Sequence, residues 1–442
     1  MPLPTSFQNA LPAMSASAVA SGTDTKALVV IYLGGGIDCH NFIIPRTGVN
    51  RTAYTGARSG VSIADNPATA LNSELQFHPT ATNIKALWDL GKVAVVSNVG
   101  PLIFPMTKTQ YNNGTVSKPI QLFSHSDQNS LWQTGLAQNP TSITGWVGRM
   151  NDLLNPAFNP SSIVPPGITF AGVQAAFRSN ETRAIGSGNS GLSTRSVVGG
   201  FRIRSQAVTV FNNMLATYNN LPNPMMREYV DAHNRANALR TVFNGAINSV
   251  SVSTTFPSPA FGSTNLGEQL KTVVKLAKAA NTMNQRRQLF WLTQGGFDHH
   301  ADLLTELTSR LSVLDPNVGA FYDALVEKGI ENNVTLLIYS EFGRSLVQNG
   351  SGTDHAWGGH ALVIGGAVAG GIYGSFPDLT LSGPNMVDSR GYLLPTTPTE
   401  SLYSTLAQWL GVPDAFSNGV NPIDLMNPNL GNFPVRNLGF LG

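Results

Sequence analysis

Two short apolar runs, residues 289–292 (LFWL) and 334–339 (VTLLIY), each break off abruptly into acidic and imidazole side chains. Continuous runs rich in β-branched and aromatic residues mark strands buried on both faces of a parallel sheet, and open α/β sheets bind ligands just beyond their strand ends. Asp298, His299 and His300 follow the first run, and Glu341 and Arg344 follow the second. Asp354, His355 and His360 lie in the glycine-rich stretch before a third run, 361–364. A fourth run, 27–33 (ALVVIYL), leads into GGGIDCHN and puts Asp38 at the same kind of boundary. If all these strands run parallel, residues more than 300 positions apart meet on one rim.

The histidines sharpen this expectation. Of eight, six (His40, His125, His299, His300, His355 and His360) fall in four short segments beside strand ends or glycine-rich turns. His78 and His233 stand elsewhere and are assigned to structure. Carboxylate with imidazole suits zinc or another divalent first-row metal, whereas oxygen-rich sets suit calcium or magnesium. In chain order the candidates are Asp38, His125, Asp298 with His300, Glu341 and His355, enough for one or two ions. Asp298 and His300, two apart, point the same way if the chain stays extended there. Arg344 is suited to bidentate contact with a phosphate or sulfate, or to a salt bridge at a helix start. His299 and His360 read as supporting groups or packing residues.

Composition removes several alternatives. Charged residues make up 12% of the 442, the net charge is +2, and no block of Lys or Arg stands out, so no nucleic-acid or anionic-membrane footprint is present. The expected partner is a small molecule or a glycan-like polymer, and the sequence carries no sign of oligomeric state. No run of 18 apolar residues appears, so no membrane-spanning helix is expected. The lone cysteine, Cys39, excludes an intrachain disulfide and a thiolate cluster; a small packed residue is favoured over a nucleophile. The glycines after 27–33 form G-x-G-x-x-C, a weak dinucleotide signal that leaves a nicotinamide-dependent enzyme as a minor reading.

With 42% apolar residues, the chain can bury one large core, and a single domain over 26–442 is expected, with an irregular insertion at about 171–222. Residues 1–25 read as a flexible leader or signal remnant, with A-x-A patterns between Ala16 and Ala20 but neither a basic start nor an apolar stretch before them. Further strands are expected at 93–99 and around 168–170. Helices are expected at 83–90, from near Gln128 with Ser126 or Asp127 as cap, and at 146–154, 224–247, 266–283, 302–328 with an interruption near Asp315-Pro316, and 400–410. Ser124 and Ser126 carry either capping or chemistry.

The segments LVVIYLGGGIDCHNFIIP, SHSDQNSLWQTG, GWVGRM, GGFDHH, YSEFGR, GTDHAWGGHALVIGG and the ending from LPTTPTESLYSTLAQWLGV to NLGFL together resemble domain of unknown function family 1501, over nearly the whole chain. That family is similar to the alkaline phosphatase and sulfatase-like superfamily. The resemblance implies a three-layer α/β/α sandwich and hydrolysis of phosphate or sulfate esters at a mono- or dinuclear metal centre, outside the cytoplasm (periplasmic or secreted). It places metal ligands at Asp38, Asp298 and His355, with His300 and Glu341 added from the residues; zinc is favoured, with calcium, magnesium or manganese as alternatives. Two departures stand out. Ser340-Glu341-Phe342-Gly343 stands where the superfamily has Ser-Asp-His-Gly, so Phe342 replaces an imidazole. The nucleophile's position falls on His125, with no hydroxyl unless the register shifts to Ser124 or Ser126. His125, Ser126 and Arg344 are therefore the candidate catalytic residues, and a non-catalytic metal-stabilised scaffold of the same fold is the competing expectation.

Overall fold

The computed structural model describes residues 24–192, 205–220, 222–257, 265–416 and 419–442. The Ala16 to Ala20 segment lies outside the described residues, as do 193–204 and 221 of the expected insertion. Nine strands form the main sheet: β1 (Lys26–Gly34), β2 (Val93–Gly100), β3 (Gly167–Thr169), β4 (Ala184–Gly186), β5 (Arg287–Gly295), β6 (Val334–Tyr339), β7 (Gly359–Gly365), β8 (Gly371–Tyr373) and β9 (Thr397–Pro398). Their spatial order is β8-β2-β7-β6-β1-β5-β3-β4, with β9 also on β2. All described pairs are parallel except those of β7, which runs antiparallel to both β2 and β6.

Every residue of 27–33 in β1 and all of β6 are buried, as continuous apolar runs require. Side chains alternate across the sheet. Val29, Ile31 and Leu33 pack with helices α1 (Thr82–Asp89), α5 (Leu266–Lys278) and α6 (Leu303–Lys328), while Leu28, Val30 and Tyr32 pack with α2 (His125–Thr134), α3 (Trp146–Phe158) and α7 (Thr399–Leu410). A further helix, α4 (Pro224–Asn248), reaches the first layer through Phe243, Ala246 and Ile247. Helices on both faces of a mostly parallel sheet make the three layers that the family resemblance implied.

Two local expectations change. The long helix is not interrupted: Leu303–Lys328 runs through Pro316. A mid-helix proline costs about 3 kcal/mol or more, which burial of Leu311, Leu314, Val318 and Phe321 offsets. Asp315 instead accepts hydrogen bonds from the backbone amides of Asn83 (3.0 Å) and Ile84 (2.8 Å), tying the start of α1 to α6. The stretch 171–222 is not irregular throughout, since it supplies edge strand β4 and a helix, Ser205–Asn219. Among the described residues no helix is long and apolar enough to cross a membrane.

Register sets the rim. Gly34 pairs with Gly295 and Tyr32 with Tyr339, so β1, β5 and β6 end almost level. Leu337, fully buried in β6, reports on the integrity of this centre. Leu337→Ala is expected to cost about 2–5 kcal/mol, read as a lower midpoint with unchanged slope in urea denaturation.

Candidate metal centre

Beyond β5 the chain turns through Gly296 (φ 93°) and presents Asp298 to solvent at the level of the strand ends. The loop after β1 comes very close. A Cβ on Gly35 (φ 121°) would lie 2.5 Å from the Asp298 amide nitrogen, and one on Gly36 (φ 73°) would strike the Phe342 ring. The glycines in this loop thus serve close packing of the rim, and Gly35 donates its N–H to Glu341 Oε1 at 2.9 Å. Asp302 (φ 49°) then starts α6.

His125 opens α2. The cap is Ser124, two residues before Ser126 and three before Asp127, the caps read from sequence; its Oγ donates to Asp127 Oδ2 (2.6 Å) and accepts the Asp127 N–H. His125 Nδ1 lies 2.7 Å from Glu341 Oε1, and its Nε2 is 3.4 Å from Asp298 Oδ2. That Nε2 is buried and makes no hydrogen bond. His355 repeats the arrangement: Nδ1 lies 2.8 Å from the Phe123 carbonyl, and Nε2 is 3.1 Å from Asp298 Oδ1. His300 Nε2 lies 2.9 Å from both Asp298 Oδ1 and His355 Nε2, with its Nδ1 3.8 Å from Asp354 Oδ1.

These contacts test whether the residues suit a cation. Nδ1 of His125 and of His355 each face an oxygen that only accepts, so Nδ1 carries the proton of the neutral ring and the Nε2 lone pair points at Asp298. Lone pairs and a carboxylate converging in this way repel unless a cation, or extra protons, lie among them. One ligand atom each from His125, Asp298 and His355 falls within 4.8 Å of the others. Histidine ligands whose second nitrogen is held by a carboxylate or a carbonyl are the usual arrangement around bound metal. The three residues therefore fit a metal ion.

The electrostatics agree. Burial pushes the Asp298 carboxyl up, but the hydrogen bond and charge of Arg344, with the nearby imidazoles, outweigh it and hold the group down at about 2. The hydrogen bond that His125 donates to Glu341 raises its pKa against partial burial. Burial would raise Glu341, yet bonds from His125, Ser340 and the Gly35 amide keep it below its ordinary value. Burial and the Arg344 charge lower His300.

The structure thus gathers Asp298, His300, His355 and His125, the last of these read from sequence as catalytic. Other candidates are placed differently. Glu341, expected as a ligand, stands behind His125 and orients it. Asp38, also expected as a ligand, has both oxygens held by the buried guanidinium of Arg58, at 2.6 and 2.8 Å. Arg344, expected on a substrate anion, is fully buried and spends its donors on Asp298 Oδ1 (2.9 Å), the Gly35 carbonyl (3.0 Å) and Thr353. Ser126 is exposed, its hydroxyl 3.2 Å from that of Ser124. Phe342 lies against the rings of His125 and His355, with centroids 4.8 and 4.9 Å away, as an apolar wall.

Of the remaining histidines and Cys39, all but the partly exposed His233 are buried. His360 Nδ1 accepts the Asn98 N–H, His78 Nδ1 accepts that of Thr80, and His233 bonds Asn237 on α4. His299 is buried away from solvent. Burial and neighbouring Asp38 push the Cys39 thiol up to about 12, which favours the packed, protonated thiol over a thiolate nucleophile. Sequence reasoning missed Arg58 and the Phe123 carbonyl. Phe123 has φ 78°, in the left-handed region, and its ring packs on Tyr392 at 4.9 Å. A backbone oxygen has no sequence signature, and Arg58 lies in a polar stretch with no motif.

The class defined so far is an α/β/α protein with a histidine–carboxylate cluster at its strand ends. Residues 219–422 match the model of the family described as "Protein of unknown function (DUF1501)", which supports the family resemblance over that stretch. No curated protein matches the sequence. Similar solved structures include a 2-O GAG sulfatase (8% identity, 91% of this chain and 74% of that one, TM-score 0.34). Others are the lipoteichoic acid synthase LtaP from Listeria monocytogenes (9%, 95% and 81%, 0.36) and a protein in the alkaline phosphatase superfamily from Vibrio parahaemolyticus (8%, 92% and 74%, 0.36).

Two measurements probe the cluster. Glu341→Gln is expected to weaken zinc binding roughly 10- to 100-fold by loosening His125, measured by competition with a chromophoric chelator. Because the ligand imidazoles must be neutral and His125 is shifted upward, zinc affinity is expected to fall between pH 8 and pH 6. An affinity flat across that range would argue against histidine ligation.

Proposed function

We propose that this chain is a metal-dependent hydrolase of phosphate or sulfate esters. The supporting observation is the convergence of His125 Nε2 and His355 Nε2 on Asp298, with each Nδ1 fixed from behind. Two imidazoles and a carboxylate suit zinc better than calcium or magnesium, which take oxygen donors, with manganese as an alternative. When bound, such an ion supplies positive charge that polarises an ester oxyanion and acidifies water.

The protein's own groups do the rest. Arg344 fixes Asp298, Glu341 fixes His125, and the Phe123 carbonyl fixes His355, so no side chain must reorganise as charge develops. Three protein donors leave one position open for substrate. His300, half-exposed beside Asp298 and shifted toward its neutral form, is the group placed to carry a proton to or from the ester. The substrate class we assign is a small-molecule or glycan-like anionic ester met outside the cytoplasm, in keeping with the motif resemblance.

A second reading, a metal-stabilised scaffold without turnover, is favoured by one specific observation: the nearby hydroxyls are engaged. Ser124 caps α2, Ser126 faces Ser124, and the Ser340 hydroxyl lies between the Leu33 carbonyl and Glu341. In that reading His300 Nε2 closes the coordination shell. Assays with 4-nitrophenyl phosphate and 4-nitrophenyl sulfate on zinc- and manganese-loaded protein separate the two. Asp298→Ala and His355→Ala are each expected to lose bound metal and to lower turnover by about 100-fold or more. Loaded wild-type protein with no turnover of either ester would favour the scaffold, and unchanged turnover in both variants would remove the centre from the mechanism.

A further inference from the structure

Building on the metal-centre reading, we infer that Arg58 occupies the place of a second cation, so that the rim takes one divalent ion and not two. Asp38 sits just past β1, where its carboxylate would be available to a metal, yet it is fully buried and bound bidentately by a guanidinium that is fully buried too. Charge-assisted forks of this kind satisfy both carboxylate oxygens in a fixed plane.

Arg58 is held from several sides. Nη1 also donates to Asn41 Oδ1 (3.2 Å), and Nη2 donates to the Ser345 carbonyl (2.7 Å). Asn41 is itself locked by the Tyr54 hydroxyl (2.7 Å) and the Val61 carbonyl (2.9 Å). The guanidinium is therefore a built part of the fold, bonded to two segments distant from it in sequence, 38–41 and Ser345. A metal ion could reach Asp38 only by displacing it.

Charge balance points the same way. Around the rim the carboxylates of Asp38, Asp298, Glu341 and Asp354 face the guanidiniums of Arg58, Arg344 and Arg390, which leaves one negative charge among the imidazoles. One divalent ion inverts that single charge. A second, at fully buried Asp38, would leave uncompensated positive charge out of reach of solvent, where desolvated charge is costly. The carboxylate a second ion would need is present but held, since both Asp38 oxygens accept from the Arg58 guanidinium.

Metal content of the purified full chain, saturated with zinc, freed of excess and measured by elemental mass spectrometry, tests this directly. The expected result is one zinc per chain, lost in Asp298→Asn. Two per chain, one of them lost in Asp38→Asn, would overturn the inference and leave the metal centre standing. No zinc at all would remove the centre and the inference together. Removing the pair jointly, Asp38→Leu with Arg58→Leu, avoids stranding a buried charge and is expected to retain one zinc with affinity unchanged within about threefold; loss of that zinc would show Asp38 to be a ligand and overturn the inference. Arg58→Gln, which frees Asp38, is expected to admit a second, weaker zinc and to show a zinc-dependent rise in Tm that continues at zinc concentrations where the wild type's has levelled off. A folded Arg58→Gln chain that still takes only one would overturn the role given to Arg58.

Discussion

The rim depends on a buried guanidinium. Arg344 joins the loop after β1 through the Gly35 carbonyl, the loop after β5 through Asp298, and the ribbon formed by Arg344–Asn349 and Gly352–His355 through Thr353. Without it, Asp298 would be a half-exposed carboxylate on a glycine-containing turn, free to rotate away from the imidazoles. Buried charge is costly unless it is matched, and here it is matched by an anion, a hydroxyl and two backbone carbonyls. What this arrangement gains is geometric definition at the one place where the chain presents convergent lone pairs.

The second constraint is the direction of β7. In an all-parallel sheet, residues after a strand and residues before one lie on opposite edges. Asp298 and Glu341 follow β5 and β6, but His355 precedes β7, so it shares their edge only because β7 runs the other way. The single reversal places the start of one strand beside the ends of the others. It also brings the Phe342 ring and the His355 ring together, closing the apolar side of the site.

Fixing an imidazole from behind is common to His125 and His355, though the means differ. Glu341 supplies a charged acceptor reached across the sheet; Phe123 supplies a carbonyl exposed by a left-handed residue whose ring packs on Tyr392. A non-glycine residue in that region carries a local conformational cost. That cost is met by aromatic packing several residues from the site, so the neighbouring cluster around Trp357 takes part in shaping the rim.

Much of this was written in the sequence. Residues 27–33 and 289–292 are apolar without interruption, and 93–99 and 334–339 are broken only by Ser97, Asn98 and Thr335; burial on both faces accommodates such runs, so the mostly parallel sheet and the rim position of Asp298 followed directly. The grouping of His125, His300 and His355 near strand or helix ends was equally legible. Which carboxylate serves which partner was not: Asp38 and Glu341 are as suitable in sequence as Asp298, and only the folded chain gives Asp38 to Arg58 and sets Glu341 behind His125. The reversal of β7, the continuity of α6 through Pro316 and the use of Arg344 inside the fold were likewise decided by tertiary contacts. The physical reason is shared: residue type and periodicity report on burial and local conformation, whereas the pairing of charges depends on which segments the sheet brings within a few ångströms.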